Sequence, residues 1–484
     1  MTGDSLKARG LEGMFWSGVE RLLGQVVTFV ITLILARLVT PADYGLLAIV
    51  MVFVNIAGVM VDGGFANALV REVECTDRDR STVLYFNIVV AMIIYLVLYL
   101  VAPLLADLYD KGDVVDLVRV ASIIVVINSL AVVQHSILIS AVDFKRQGVI
   151  SLVSSIVSGV VGVALAYLGF GVWALIVQAI LSATVRVIML WVVVAWRPLL
   201  CFSRSSFERL FGYSSKLMLS NLIVSGGNEL FQLLIGRLFS TANLGFYNYT
   251  RRMASFLSCN IAITIQRVLF PILSQIQNDE VRLSQLFRRS QILTMSLIAP
   301  LMFALSAIAE PVVRVLLTEE WYAAIPILRV ISITLAIYPL LLLNINILYV
   351  KRRSDLSLKV ESMSIAVNFV IISLLQRHSL IVLCVALCVK EFLNFILYAS
   401  IVGRVNSYNL MRQLVDILPI LLQSIVSMFV VRYMLLPLID GAMLQIVVGS
   451  VATFALYFAM VALRRGYDYR VIINILEEVR RWRR

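Results

Sequence analysis

The sequence predicts an all-α integral membrane protein of about fourteen transmembrane helices, arranged as two pseudo-repeated six-helix lobes plus two C-terminal helices. Three observations carry this. Of 484 residues, 61% are hydrophobic and only 14% charged, with a mean hydropathy of +0.95, more apolar side chain than a soluble core of this length can hide. Apolar runs recur from Phe15 to Leu463, each long enough at about 1.5 Å per residue to cross about 30 Å of hydrocarbon. Finally, ARLVTPADYG at 36–45 returns as GRLFSTANLG at 236–245, an offset of 200: Arg37/Arg237, Leu38/Leu238, Ala42/Ala242 and Gly45/Gly245 are identical, and Thr40/Ser240 and Asp43/Asn243 exchange like for like.

The runs are helices because an isolated span in lipid must satisfy its own backbone hydrogen bonds. Residues 1–196 form the first lobe, with spans near 14–38, 45–70, 82–107, 114–140, 147–168 and 171–196. The longest polar connector, 197–213, falls where the repeat places a seam, and is read as a cytoplasmic inter-lobe linker. The second lobe, 214–403, contributes spans near 214–238, 245–271, 288–310, 325–349, 356–376 and 380–403. Residues 404–463 add spans at 413–436 and 442–463, and 464–484 form a basic cytoplasmic amphipathic tail. Pro41, Gly169-Phe170-Gly171, Pro198 and Asp440-Gly441 punctuate the breaks. Positions 36 and 236 are then the same joint in each lobe, the exit of a first helix and the entry to a second.

Charge sets the orientation. With a cytoplasmic N-terminus, the loops on that side hold 27 Lys and Arg, against five opposite: Arg37, Lys111, Arg237, Arg314 and Arg377. That asymmetry is the positive-inside pattern, and one span too many or too few would scramble it. Both termini are therefore expected inside. The formal charge of +12 reflects topology and attraction to anionic lipid rather than nucleic-acid binding. In RRGYDYRVIINILEEVRRWRR, apolar positions and Arg alternate at helical spacing, which suits a helix lying on the inner leaflet; a partner-docking helix is the sharper alternative. The basic N-terminus leads straight into a full span with no cleavage site, so the first helix is expected to be retained.

The chemistry available is narrow. Five cysteines form no disulfide framework: Cys75 and Cys201 fall in inner loops, while Cys384 and Cys388, one turn apart, lack His or carboxylate partners for a metal. His135 and His378 are the only histidines. There is no GxxxxGK[ST] phosphate loop and no GxSxG elbow. The largest outer connector, about 310–324, is too small a platform for a glycan polymerase or ligase. No cofactor or metal is expected, and no enzyme. Doubled helical bundles instead suit transport by rocking around a central cavity, whose polar lining would be intolerable in lipid.

Nine basic residues lie in or near spans: Arg21, Arg119, Arg186, Arg251, Arg252, Arg267, Arg329, Lys390 and Arg432. Arg119, Arg329 and Arg432 are close enough to helix ends to snorkel. Lys390 precedes Glu391, which suits a contact between helices. Arg186 faces either the cavity or a neighbouring carbonyl. On the second lobe's entry helix, Arg251 and Arg252 lie about 9 to 10 Å inward of Gly245 and Arg267 about 33 Å inward, placing positive charge near both mouths. Glu20 and Arg21 sit about 10 Å inside the first helix. Glu229 follows Gly226-Gly227-Asn228 mid-span, and Asp62-Gly63-Gly64 lies near the inner end of the second helix. At the 200-residue offset Arg251, Arg252 and Glu229 match Met51, Val52 and Phe29, and only Arg267/Asn67 is polar on both sides. Arg21, Arg251, Arg252, Arg267 and Asn67 are thus candidate substrate-binding residues, and Glu20, Glu229 and Asp62 candidate ion-coupling carboxylates, with structural pairing as the alternative role. A cationic cavity implies an anionic passenger, and the planar Arg fork suits phosphate.

EGMFWSGVERLLGQ, ARLVTPADYGLLA and VDGGFANALVRE resemble the opening of Wzx-type oligosaccharide flippases, in the polysaccharide transporter branch of the multidrug/oligosaccharidyl-lipid/polysaccharide exporter superfamily. GRLFSTANLGFYNYTRRMA, QRVLFPILSQIQND and EEWYAAIPILRVI extend the likeness into the second half. The resemblance is strongest around 12–72 and 205–330. It implies movement of undecaprenyl-diphosphate-linked oligosaccharides from the inner to the outer leaflet of the bacterial plasma membrane, for O-antigen, capsule or exopolysaccharide assembly. It also implies polysaccharide-assembly proteins as partners, and a monomer is expected. The motifs do not specify the cargo, and the candidate site residues come from depth and charge rather than a matched motif. A cation-coupled drug antiporter of the same architecture, with a more acidic cavity, and a membrane glycan polymerase or ligase are the alternatives.

Overall fold

The computed structural model describes residues 24–72, 75–109, 112–141, 143–471 and 473. Glu20 and Arg21, and most of the 464–484 tail, lie outside them. All regular structure among the described residues is helical. Eleven helices are long and apolar enough to cross a membrane, twelve if the bent pair Asp113–Ser129 and Val132–Ser140 is one span. The shorter apolar helix Gly24–Leu38 and the more polar Arg204–Leu238 lie where the sequence places two further spans. The protein is a multi-pass membrane protein.

The chain divides into two compact units, Met1–Gly245 and Phe246–Arg484. In the first, α1 (Gly24–Leu38) leads into α2 (Pro41–Asp62). The joint between them explains the like-for-like exchanges of the repeat. Thr40 caps α2, its hydroxyl accepting from the Asp43 N–H at 3.2 Å and donating to the Asp43 carboxylate at 2.8 Å, and Pro41 supplies a preformed first turn. Ser240 caps α11 (Thr241–Gln275) in the same way, accepting from the Asn243 N–H at 3.1 Å. The shared glycines are explained too. A Cβ on Gly45 would lie 1.8 Å from the Thr241 carbonyl oxygen, and one on Gly245 would lie 1.9 Å from that of Pro41. The two first turns therefore cross backbone to backbone, reciprocally, at positions 200 apart.

Gly63 and Gly64, both left-handed, end α2 and turn the chain into α3 (Phe65–Arg71). α4 (Asp77–Tyr109) follows, then the broken span α5 (Asp113–Ala121), α6 (Ile123–Ser129) and α7 (Val132–Ser140), with a 44° bend before α7. The indole N–H of Trp191 donates to the Leu130 carbonyl at 3.0 Å, satisfying a backbone group freed at the break. α8 (Phe144–Tyr167) and α9 (Val172–Val193) form a hairpin through Gly169 and Gly171, both at positive φ. α10 (Arg204–Leu238) starts ten residues before its apolar span. Its first turns stay helical because Ser203 caps them and Arg204 pairs with Glu208 at 2.8 Å. α10 packs along α2, and its Phe207 stacks on Phe65 of α3 and meets Phe86 of α4 at a tilt. Arg209 bridges Glu72 and Asp79, at 3.2 and 2.7 Å. Tyr109 donates to the Leu233 carbonyl at 3.1 Å, and burial pushes its phenol up to about 12.

In the second unit, α12 (Glu280–Ala307) is the central helix, with 83% of its most apolar stretch buried. Around it pack α14 (Ile325–Val350), reached through the short α13 (Ala309–Leu316), and α17 (Leu410–Val430) and α18 (Ala442–Arg464); α15 (Ser354–Leu375) and α16 (Leu380–Val402) lie against α14. Its polar face is tied to α17. Arg288 holds Asp416 through two bonds of 2.7 and 2.8 Å, stacks on Tyr467 at 3.9 Å, and Tyr408 donates to the same carboxylate at 2.8 Å. Burial, then the Asp416 charge, pushes the Tyr408 phenol well above its ordinary range. Deeper, Gln291 and Asn344 both donate to the Gln413 side-chain carbonyl, each at 3.3 Å. These bonds, with the packing of α18 on α12, make the last two spans part of the unit's core.

Candidate functional site

Among the described residues, three clusters of intramembrane polar groups contain the charged candidates, two in the first unit and one in the second. The first joins α2 to α10. Glu229 accepts from the Asn55 amide at 3.0 Å through one carboxylate oxygen, and from Gln232, one turn on, at 3.2 Å through the other. Two amide donors on two helices hold this carboxylate in place, and charge-assisted bonds of this kind are the stronger class. Gly226 is buried one turn before it, where a Cβ would meet nothing within 4 Å, so its part is local looseness rather than close packing.

The second cluster sits about 10 Å further along α2, at its broken end. Asp62 accepts from the Ala66 N–H at 3.4 Å and so caps α3. It lies within electrostatic reach of His135 on α7, which lies within reach of Arg186 on α9. Asn67 is exposed on α3. Asp62 and Glu229 therefore belong to separate clusters.

The third lies in the second unit. Arg251 shares a face of α11 with the buried Tyr247, Ala254, Ser258 and Ala262, all within about 60° of it around the axis, yet it is itself exposed. Its guanidinium is 3.5 Å from the Tyr247 hydroxyl and within electrostatic reach of Glu391. Arg252 is also exposed, about 100° round. Glu391 pairs with Lys390 at 2.6 Å. Lys390 donates to Ser364 on α15 at 3.0 Å, and Asn394 bridges Ser364 and Glu391 at 2.9 and 3.2 Å. Arg267 is on α11, but its side chain lies outside the described residues.

The other intraspan cations divide as their depth suggests. Arg119 lies over the Tyr99 ring at 4.3 Å and Arg432 over that of Tyr433 at 4.8 Å, near helix ends. Arg329, in the first turns of α14, pairs with Glu310 at the start of α13 at 3.0 Å. The Lys390-Glu391 dipeptide does make a contact between helices, and it also stands beside Arg251, a link that depth alone could not supply. Asn55 and His135 were not singled out by charge, because a lone amide or imidazole in an apolar run carries little signal. Among the described residues no group of three His, Cys, Asp or Glu is placed to hold a metal.

The profile of the family described as polysaccharide biosynthesis protein matches residues 34–326. The succinoglycan biosynthesis transport protein ExoT of Rhizobium meliloti (strain 1021) is 26% identical over 95% of this chain and 94% of its own. The lipopolysaccharide biosynthesis protein WzxC of Escherichia coli (strain K12) is 22% identical over 68% of this chain and 67% of its own. Among solved structures, the lipid II flippase MurJ in an inward closed conformation superposes with a TM-score of 0.77 at 14% identity, covering 95% of this chain and all of that one. An inward-facing multidrug resistance MATE transporter of the MOP superfamily gives 0.61 at 15% identity over 80% of this chain and 98% of its own. The fold is that of these transporters.

Proposed function

Because the chain belongs to the polysaccharide biosynthesis protein family, we propose that it moves a lipid-linked anionic oligosaccharide from the cytoplasmic to the outer leaflet of the bacterial plasma membrane. It does so by alternating access, with no chemical step of its own. The observation that carries this is Arg251, a cation within a span, on the packed face of its helix and yet exposed. Hydrocarbon does not solvate a guanidinium, and beside its Tyr247 and Glu391 neighbours the exposed part of Arg251 suits an aqueous path or an anionic ligand. The names of the relatives, a succinoglycan transport protein and a lipopolysaccharide biosynthesis protein, support the same class of cargo.

In this reading Arg251, Arg252 and Arg267 receive and release the diphosphate head while the polyprenyl tail stays in lipid, and Arg21 and Asn67 are the first lobe's own candidate substrate-binding residues. Glu20, Glu229 and Asp62 are the candidate ion-coupling carboxylates. The 6+6+2 division with lobes at 1–196 and 214–403, the cytoplasmic termini, the monomeric state and contact with polysaccharide-assembly proteins belong to the same proposal. A cation-coupled antiporter, favoured by the likeness to MATE transporters, is the second reading; it requires carboxylates rather than arginines to contact the cargo.

The test is a deletion strain. Loss of the protein is expected to leave sugar-linked polyprenyl diphosphate accumulated on the cytoplasmic side, detected by sidedness labelling of spheroplasts and inverted vesicles. Normal outer-leaflet appearance of the lipid-linked glycan in that strain refutes the proposal.

A further inference from the structure

Arg186 is an intraspan charge that the proposed diphosphate path does not use. It lies seven residues, about 10 Å, from the end of α9 and 14 residues, about 21 Å, from its start. Around the α9 axis it stands about 40° from Leu190 and 60° from Ala183, both buried. The most exposed apolar residues of this helix, Ile188 and Val192, stand about 200° and 240° away, on the opposite side. Arg186 is thus on the protein-facing side and is nevertheless exposed. Among the described residues it makes no ion pair or hydrogen bond, and it lies within electrostatic reach of the His135 imidazole. His135 is also exposed, and beyond it Asp62 is half-buried. Asp62 on α2 is within electrostatic reach of His135 on α7, and His135 of Arg186 on α9, and α9 packs against both α2 and α7.

The mixture of charges selects the ligand. A diphosphate wants cations on all sides, and the Asp62 carboxylate would repel it. An acidic sugar presents a carboxylate on one edge and hydroxyl donors on the next. Arg186 can hold the carboxylate through two parallel N–H bonds. Asp62 keeps acceptor capacity beyond its backbone contacts for a sugar hydroxyl, and His135 can donate or accept. We propose that Asp62, His135 and Arg186 form a sugar-recognition site in the first unit that takes an acidic sugar of the carried glycan, such as a hexuronate. This rests on the transport reading above and names part of its cargo.

The test is calorimetric titration of the purified full-length protein in lipid nanodiscs with glucuronate, glucose and inorganic pyrophosphate. Glucuronate is expected to bind at least tenfold more tightly than glucose. Arg186→Gln is expected to weaken glucuronate at least tenfold, Arg186→Lys by less, and neither to change pyrophosphate affinity. Monodisperse Arg186→Lys protein shows that the position tolerates change. Three results overturn the proposal: no glucuronate binding to the wild type, equal glucuronate binding in Arg186→Gln, or loss of pyrophosphate rather than glucuronate affinity in that variant. The transport reading fails separately, through the sidedness labelling. Flipping that persists with glucuronate unaffected by Arg186→Gln sinks only the sugar site, and glucuronate binding without flipping sinks only transport.

Discussion

Replacing Gly45 by alanine adds one carbon at the point where the first turns of α2 and α11 cross. That carbon would sit 1.8 Å from the Thr241 carbonyl oxygen and 2.5 Å from its carbonyl carbon, whereas real contacts of this kind do not fall below 3.0 Å. One first turn must therefore move by at least about 1.2 Å relative to the other. Both obstacles are backbone held in capped turns, so no side-chain rotation can relieve them. Overpacking of this kind typically costs about 1–3 kcal/mol, and a backbone obstacle places Gly45→Ala at the upper end. Gly58→Ala is the control: it lies on the same helix with nothing within 4 Å of its Cβ, and alanine is the better helix former by about 1 kcal/mol. The assay is thermal unfolding in detergent together with maleimide labelling of Asn243→Cys in intact cells. Gly45→Ala and Gly245→Ala are each expected to lower the melting temperature and raise the labelling rate several-fold, with Gly58→Ala unchanged or more stable. A Gly45→Ala protein that melts and labels like Gly58→Ala refutes the crossing.

Four further outcomes are expected. Cysteines near Asp43, Asn243 and Glu319 should label from outside and those near Asp79, Ser205 and Ser354 from inside; outside labelling at Ser205 breaks the topology. Asn55→Asp sets a second carboxylate about where an amide now donates to Glu229 at 3.0 Å, and should reduce thermal stability, with Asn55→Asp/Glu229→Gln restoring it; an unimproved double variant refutes the pairing. Lys at positions 251, 252 and 267 should retain part of the flipping activity, whereas Glu should abolish it at normal membrane abundance; equal transport by the Glu variants moves the phosphate path elsewhere. Flipping should survive ATP depletion while the proton gradient stands, and Gln at both Glu20 and Glu229 should change its pH dependence; an unchanged profile rejects coupling through these carboxylates.

The sequence carried those features that are local or periodic. Apolar runs placed the spans, since lipid leaves the backbone only a helix to form, and the paired glycines and caps were visible because they recur at one offset. Other features depend on which helices meet, and at what height. Asn55 and Glu229 are 174 residues apart, so their contact depends on the register of α2 against α10, to which no periodicity in either run refers. The same holds for Ser364 beneath Lys390, and for Asp62, His135 and Arg186, three residues from three helices. The early start of α10 was hidden for a different reason: hydropathy marks where lipid ends, and a capped helix can continue into water. Depth and charge found Arg251 but could not give it Tyr247 and Glu391 as neighbours.

The bond from Arg288 to Asp416 spans 128 residues of chain, which has a consequence for biosynthesis. At about 5–20 residues per second, the ribosome needs roughly 6–25 seconds to deliver the carboxylate after the guanidinium has emerged. Gln291 and Asn344 wait in the same way for Gln413. Throughout that interval α12, the helix around which the unit is organised, must reside in or beside the bilayer with Arg288 and Gln291 lacking their α17 partners, where insertion machinery or a chaperone would find it. The last two spans then act as the closing step of assembly. A chain that stops before residue 410 leaves an incomplete core exposed to the proteases that survey the membrane.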